Sequence, residues 1–204
     1  MLAVLGTKFP LVQKVGLFPP ILFLINQLYS FISFNRKVIA PSDCSGSCDC
    51  TPTTSYFWRW MFIAFCALVV NIVTALYFNQ HLNEYYTGIP NSDLIFFALQ
   101  LIIQSAVFIL LKQKNLYDYL GQVSFVSCLG ALLLLFFHLG LHWLHQFGIN
   151  VDLLQPFCFG VVVTFMFFEH KRRVRLLHLS QGLSISWILF RISIAPFAFN
   201  LIAL

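Results

Sequence analysis

Residues 56–78 of the chain read YFWRWMFIAFCALVVNIVTALYF, an apolar run long enough to cross a hydrocarbon core of about 30 Å as one helix. Four further apolar segments follow, at about 93–111, 117–144, 151–168 and 182–203. The chain is 59% hydrophobic and only 9% charged, so it has too few charges to cover a soluble domain. The sequence therefore predicts an all-α, polytopic helical membrane protein with about five transmembrane helices.

The basic residues indicate how these helices are oriented. The connections at 79–92 and 145–150 contain no Lys or Arg, whereas the connection between the second and third spans holds Lys112 and Lys114. The connection after the fourth span is strongly basic, with Lys171, Arg172, Arg173 and Arg175. Because basic residues are retained in the cytoplasm, we expect a multi-pass protein of the cell inner membrane with its amino terminus inside and its carboxyl terminus outside.

The same distribution explains the formal net charge of +5. Its basic residues lie in short connections that would face an anionic inner leaflet, and the strongly basic connection is predicted to contact membrane lipid. The charge therefore does not indicate a nucleic-acid partner.

Residues 15–34, VGLFPPILFLINQLYSFISF, are almost apolar enough for a sixth span. Two consecutive prolines interrupt the first third of this segment, and Asn26 and Gln27 lie in its middle. A crossing helix would also place Lys8 on the outer side, against the charge distribution of the other connections. We therefore predict a cytoplasmic or interfacial helix at about 21–34.

Three cysteines, Cys44, Cys48 and Cys50, lie close together in the linker 38–55, within the sequence DCSGSCDC at 43–50. Close thiols on an adaptable loop suit either reversible disulfide exchange or a soft metal such as zinc, whose remaining ligand would be Asp43, Asp49 or His178. A solvated linker with free thiols is the third interpretation. The cysteines inside the apolar segments, Cys66, Cys128 and Cys158, are expected to be small packing residues.

Residues 1–37 resemble the carboxyl-terminal tail of the DCC family of thiol–disulfide oxidoreductases. The resemblance rests on Leu5-Gly-Thr-Lys-Phe-Pro, on the apolar segment after it, and on the pattern Tyr29, Ile32, Asn35, Arg36. It implies the end of a small thioredoxin-like domain joined to a helical membrane region. The family's active-site sequence, Asp-x-x-Cys-x-x-Cys, does not occur in the chain, and we expect both ends of the chain to continue in a longer protein.

A second group of candidate residues is the histidine stripe His138, His142 and His145 near the outer end of the third span. Their i, i+4, i+7 spacing places all three imidazoles on one helix face. Histidine in a membrane often marks a proton, quinone, metal or haem site, although a haem held by two histidines would need a partner such as His81, which lies in a loop beyond the first span. The alternative is that these histidines are simply hydrogen-bonded at the membrane boundary.

Arg191 lies about nine residues into the last span. An unpaired guanidinium in hydrocarbon is costly, so the side chain should either reach an interface or meet a carboxylate. Glu169, at the inner end of the fourth span, is the predicted partner in an intramembrane ion pair.

The chain thus divides into a tail (1–37), a cysteine-containing linker (38–55) and a five-helix membrane domain (56–204). Two functions fit this organisation. The first is a redox-linked membrane module associated with thiol–disulfide exchange, whose partner would be a thioredoxin-like domain. The second is a non-catalytic anchor or assembly subunit that binds another membrane subunit and whose loop cysteines are incidental. The residues leave open whether the chain is an enzyme.

Overall fold

The computed structural model of the chain describes residues 18–41, 55–82 and 92–198. The regular structure within these ranges is entirely helical, which confirms the predicted all-α class. The six helices in this part of the chain are α1 (Pro19–Ile39), α2 (Tyr56–His81), α3 (Ser92–Leu110), α4 (Leu116–Gln146), α5 (Leu154–Leu176) and α6 (Gly182–Ala198).

Three of these helices, α2, α3 and α4, are long and apolar enough to cross a membrane, against the five spans that the sequence predicts. The predicted fourth span corresponds to α5, whose last two turns carry the charged sequence from Glu169 to Arg175 and lower its mean hydropathy. The predicted fifth span corresponds to α6, which is apolar but shorter.

Helices α2 to α6 pack side by side as a bundle with two distinguishable ends. At one end, Arg59 in the first turn of α2 is bonded to Asp118 in the first turn of α4. At the other end, the rings of His81 and His138 are adjacent. We call these the arginine end, which also holds Arg173, and the histidine end.

The bundle is apolar on its outer surface as well as in its core. The core includes Val73, Tyr77, Val123, Val126, Leu183 and Trp187. Large apolar side chains also point outward from every helix of the bundle, among them Leu68, Ile102, Phe136, Phe157 and Ile185. Soluble monomers rarely expose apolar patches of this extent, so the outer surface suits an apolar surrounding medium.

Helix α1 is longer than the predicted helix at 21–34. Pro19 and Pro20 do not interrupt it but occupy its first positions, where a missing N–H and a fixed φ cost nothing. Its carboxyl-terminal part packs on α2 and α4 through Val38 and Asn35, both fully buried. Its earlier turns expose large apolar side chains, of which Phe23 and Tyr29 are examples.

Candidate functional site

The arginine end contains a buried cation that the sequence analysis did not single out. Arg59 is only 2% exposed, yet its guanidinium donates to Oδ1 of Asp118 at 2.8 Å and to Oδ1 of Asn35 at 3.0 Å. Asn35 in turn donates to the backbone oxygen of Trp58 at 3.1 Å. A buried charge is tolerated only when it is paired and hydrogen-bonded, and this arrangement meets both requirements. The network joins α1, α2 and α4.

A second buried cation, Arg173 of α5, binds the carboxyl-terminal end of α1. Its Nη1 donates to the backbone oxygen of Val38 and to the side-chain oxygen of Gln122, while Gln122 donates to the backbone oxygen of Lys37 at 2.9 Å. The last carbonyl groups of a helix have no partner within the helix and carry partial negative charge. A cation and an amide from neighbouring helices therefore cap α1.

The predicted basic connection is thus only partly available to lipid. Lys171, Arg172, Arg173 and Arg175 all lie in the last turns of α5 rather than in a loop. Arg173 is 3% exposed and its guanidinium lies 4.5 Å from the centre of the Phe125 ring, so this residue cannot reach lipid head groups. Arg172 and Arg175 are exposed and Lys171 is half-buried.

The predicted ion pair between Arg191 and Glu169 differs from the observed arrangement. Both oxygens of Glu169 accept from Arg172 at 2.7 Å, and one also accepts from Arg173 at 2.6 Å. These bonds, first of all those from Arg172, lower the pKa of Glu169. Pairs at i, i+3 and i+4 on one helix need no tertiary contact, so Glu169 is satisfied locally.

Arg191 lies elsewhere, in the half of the bundle nearer the histidine end. Its Cζ is 5.2 Å from the centre of the Trp187 ring, and the carboxylate that stabilises its charge electrostatically is Asp93, from the first turn of α3. Arg191 and Asp93 both line a partly open cavity of about 370 Å³ whose wall is formed by residues of α2 to α6.

A polar strip crosses the bundle between the arginine end and the cavity. The hydroxyl of Tyr119 donates to Gln104 of α3 and lies 3.3 Å from Nε2 of His170 of α5. Gln104 also donates to the hydroxyl of Ser186 of α6 at 3.2 Å, and the ring of His170 stacks on Trp187 with 5.5 Å between centroids. This strip ties four helices together.

The three histidines of the predicted stripe differ in their exposure. The ring of His138 is half-buried and lies 5.1 Å, centre to centre, from the ring of His81 in an edge-to-face contact. His142 and His145 are exposed, and Nε2 of His142 lies 3.2 Å from the side-chain nitrogen of Gln146 in the next turn. In the described part of the chain no three His, Cys, Asp or Glu side chains come close enough to hold a metal ion.

The loop cysteines Cys44, Cys48 and Cys50 lie outside the described residues, so their arrangement remains a prediction. The three helix cysteines are buried, in agreement with a packing role. Two of them, Cys66 of α2 and Cys128 of α4, also contact each other within hydrogen-bonding reach. No local pattern in the sequence pairs these two residues, because they are 62 positions apart.

Several of these site residues carry a recognisable signal in the sequence. Arg59 interrupts the first apolar run, and Asp118 and Gln122 are polar residues at i, i+4 in the first turns of an apolar helix. Tyr119 and His170 carry no such signal, because their roles depend on contacts between different helices.

Comparisons with known proteins add no family to these observations, since no protein-family model, curated protein or solved structure matches the chain.

Proposed function

We propose that the chain is a five-span membrane protein whose arginine end faces the cytoplasm and presents the cysteine-containing linker for thiol–disulfide exchange. The membrane part of this proposal is supported by the three long apolar helices and by the outward-facing apolar side chains. The orientation is supported by the charge distribution, because the connections at the arginine end include Lys112 and Lys114.

The observation that carries the proposal is the way the described residues flanking the linker are held. On its amino-terminal side, the backbone oxygens of Lys37 and Val38 accept bonds from Gln122 and Arg173. On its carboxyl-terminal side, the backbone of Trp58 is bonded to Asn35 of α1. Residues 35–39 and 58–59 are therefore held together at one end of the bundle, which brings both ends of the linker to the same place.

The chemistry would come from the linker itself. A thiolate of Cys44, Cys48 or Cys50 would attack a disulfide of a thioredoxin-like partner and form a mixed disulfide, releasing one partner thiolate. A second linker thiolate would then attack the linker sulfur of that mixed disulfide, forming a linker disulfide and releasing the second partner thiolate. Two linker thiols are oxidised and one partner disulfide is reduced to two thiols, so the electrons balance.

Mass-tag labelling of thiols in the full-length protein, equilibrated in detergent with glutathione redox buffers, tests this step. We expect two linker thiols to become protected together as the buffer is made more oxidising. A variant with Cys66→Ser and Cys128→Ser serves as the matched control and should keep this transition, whereas a variant with serine at all three linker positions should lose it. Linker thiols that label equally in every buffer would contradict the proposal.

The alternative function, a non-catalytic anchor or assembly subunit, is favoured by a different observation. The buried groups of the arginine end are bonded mainly to one another, as Arg59 is to Asp118, which is typical of a structural cluster. A chain that shows no redox transition but retains a membrane partner on mild solubilisation would support this function instead.

Topology reporters separate the membrane proposal from the thiol proposal. Reporters inserted after Asn83 and Asn150 should be detected on the outer side, and those after Lys114 and Arg175 on the cytoplasmic side. A reporter at Lys8 that is detected outside would mean that the segment containing α1 crosses the membrane as a sixth span, with the linker still on the cytoplasmic side. Reporters after Lys114 and Arg175 that are detected outside would instead remove the proposed cytoplasmic position of the linker.

A further inference from the structure

The cavity lined by helices α2 to α6 has the residue composition of a ligand site rather than of a packing defect. Its volume of about 370 Å³ lies within the range of roughly 300–1,000 Å³ that small-molecule sites occupy. Most of its wall is aliphatic or aromatic, with Val70, Phe97, Leu134, Phe159, Val163 and Ile188 as representative members. A cavity with this wall favours an apolar molecule over water.

A few polar groups break this apolar wall. Arg191 and Asp93 line it, together with Thr74 and Ser127. The Nε–H of Arg191 is covered by protein, but the residue as a whole is only partly buried and lines the cavity. A guanidinium in an otherwise apolar wall favours a bound hydrogen-bond acceptor, because a bond from a charged donor contributes more than one from a neutral donor. The cavity therefore offers an apolar volume with one charged donor in its wall.

The charge balance determines which head group fits. The carboxylate of Asp93 already stabilises the charge of Arg191, so an anionic head group would meet a like charge on entering the cavity. A neutral carbonyl oxygen accepts a hydrogen bond from the guanidinium without that repulsion. We propose that this cavity binds an uncharged, lipid-like molecule with a carbonyl head group, which contacts Arg191 while its hydrocarbon chain fills the apolar part.

Because Trp187 lies beside Arg191, quenching of its fluorescence can report binding in the cavity. The chain has four tryptophans, and replacing Trp58, Trp60 and Trp143 with Phe would leave Trp187 as the single fluorophore. We expect a brominated methyl dodecanoate to quench the emission of this protein in detergent micelles in a saturable manner. Unlabelled methyl dodecanoate should compete at least about tenfold better than dodecane or dodecanoate, a factor that corresponds to one hydrogen bond to a charged donor.

Two variants then distinguish binding in the cavity from partitioning of the ester into the micelle. Asp93→Asn removes the opposing carboxylate and should reverse the preference, so that dodecanoate competes better than its methyl ester. Ala131→Leu fills the cavity from α4 without changing its charges, and it should abolish saturable quenching while near- and far-UV circular dichroism stays unchanged.

Three outcomes would overturn the inference. Quenching that rises linearly with the brominated ester and is unaffected by Ala131→Leu would mean bulk partitioning into the micelle. A preference for dodecanoate in the parent protein would assign the cavity to an anionic ligand. Equal competition by dodecane and the ester would mean that Arg191 does not contact the head group. None of these outcomes bears on the linker thiols, so the thiol proposal is tested separately.

Discussion

The buried pair of Arg59 and Asp118 allows the energetics of the arginine end to be tested by a double-mutant cycle. Asp118→Leu leaves the guanidinium of Arg59, which is 2% exposed, without an opposite charge in its pocket. Removing one member of a buried ion pair costs about 3–5 kcal/mol, because the other charge stays desolvated. We expect this single substitution to destabilise the protein by that amount.

The reverse substitution should cost less. Arg59→Met removes one charge-assisted bond to Asp118 and one bond to Asn35, together worth about 2–4 kcal/mol. Asp118 is 21% exposed, so its carboxylate regains water when the arginine is absent. The double variant Arg59→Met, Asp118→Leu replaces the pair with apolar side chains and should lie within about 2 kcal/mol of the parent.

The measurement is unfolding of the purified chain in mixed micelles with increasing denaturing detergent, followed by far-UV circular dichroism. The cycle should give a coupling free energy of at least about 3 kcal/mol, far above the error of about 0.5 kcal/mol for independent sites. Arg172→Met is the matched control, since this arginine is 51% exposed and its loss should cost about 1 kcal/mol or less. Additive effects of the two single substitutions would refute the assignment of Arg59 as a buried, charge-compensated residue.

Three further predictions concern the packing and titration of the bundle. Gly121→Ala places a Cβ at 2.9 Å from the side chain of Arg59 and should destabilise the protein by about 1–3 kcal/mol. Gly140→Ala, whose Cβ would have no atom within 4 Å, should leave the stability unchanged. Equal effects of the two substitutions in an unfolding titration would contradict the tight contact at Gly121. Tyr119→Phe removes the donor at the centre of the polar strip and should cost about 0.5–1.5 kcal/mol in the same titration, so an unchanged stability would mean that the strip contributes nothing. The pKa of Glu169 is lowered in the folded protein, chiefly by its hydrogen bonds from Arg172. The ionised carboxylate therefore stabilises the fold at a pH above its unfolded pKa of about 4.3, and this stabilisation is lost as the pH falls through the folded pKa. Glu169→Gln should therefore flatten the acid side of the stability–pH curve, and an unaltered curve would rule out this contribution.

Local patterns in the sequence predicted the helices well where the signal was hydrophobicity alone. The long apolar runs became α2, α3 and α4, and they are recognisable because every residue of such a run contributes to it. Prediction was poorer where apolar and charged residues share one helix, as in α5, and where a proline pair begins a helix rather than ends it, as in α1.

Pairing between polar groups was the part that the sequence analysis could not predict. The position of Glu169 at the end of the fourth span predicted a pair with Arg191, but Glu169 is bonded within its own helix. Arg191 instead lines a cavity with Asp93, nearly one hundred positions earlier in the chain. Tyr119 also carried no signal in the sequence, because its partners lie on α3 and α5.

The sequence by itself determined that the chain is helical, apolar enough for a membrane, and asymmetric in its distribution of basic residues. These properties depend on composition and on the order of residues along each helix, so they can be read without knowing which helices touch. Only the tertiary structure decided that Arg59 and Arg173 are buried and donate hydrogen bonds to α1. The contact between Cys66 and Cys128 and the position of Arg191 in the wall of a cavity were likewise decided only there. Each of these depends on which helix faces are brought together, because a polar group inside an apolar bundle is stabilised by its nearest partner in space and not by its nearest partner in sequence.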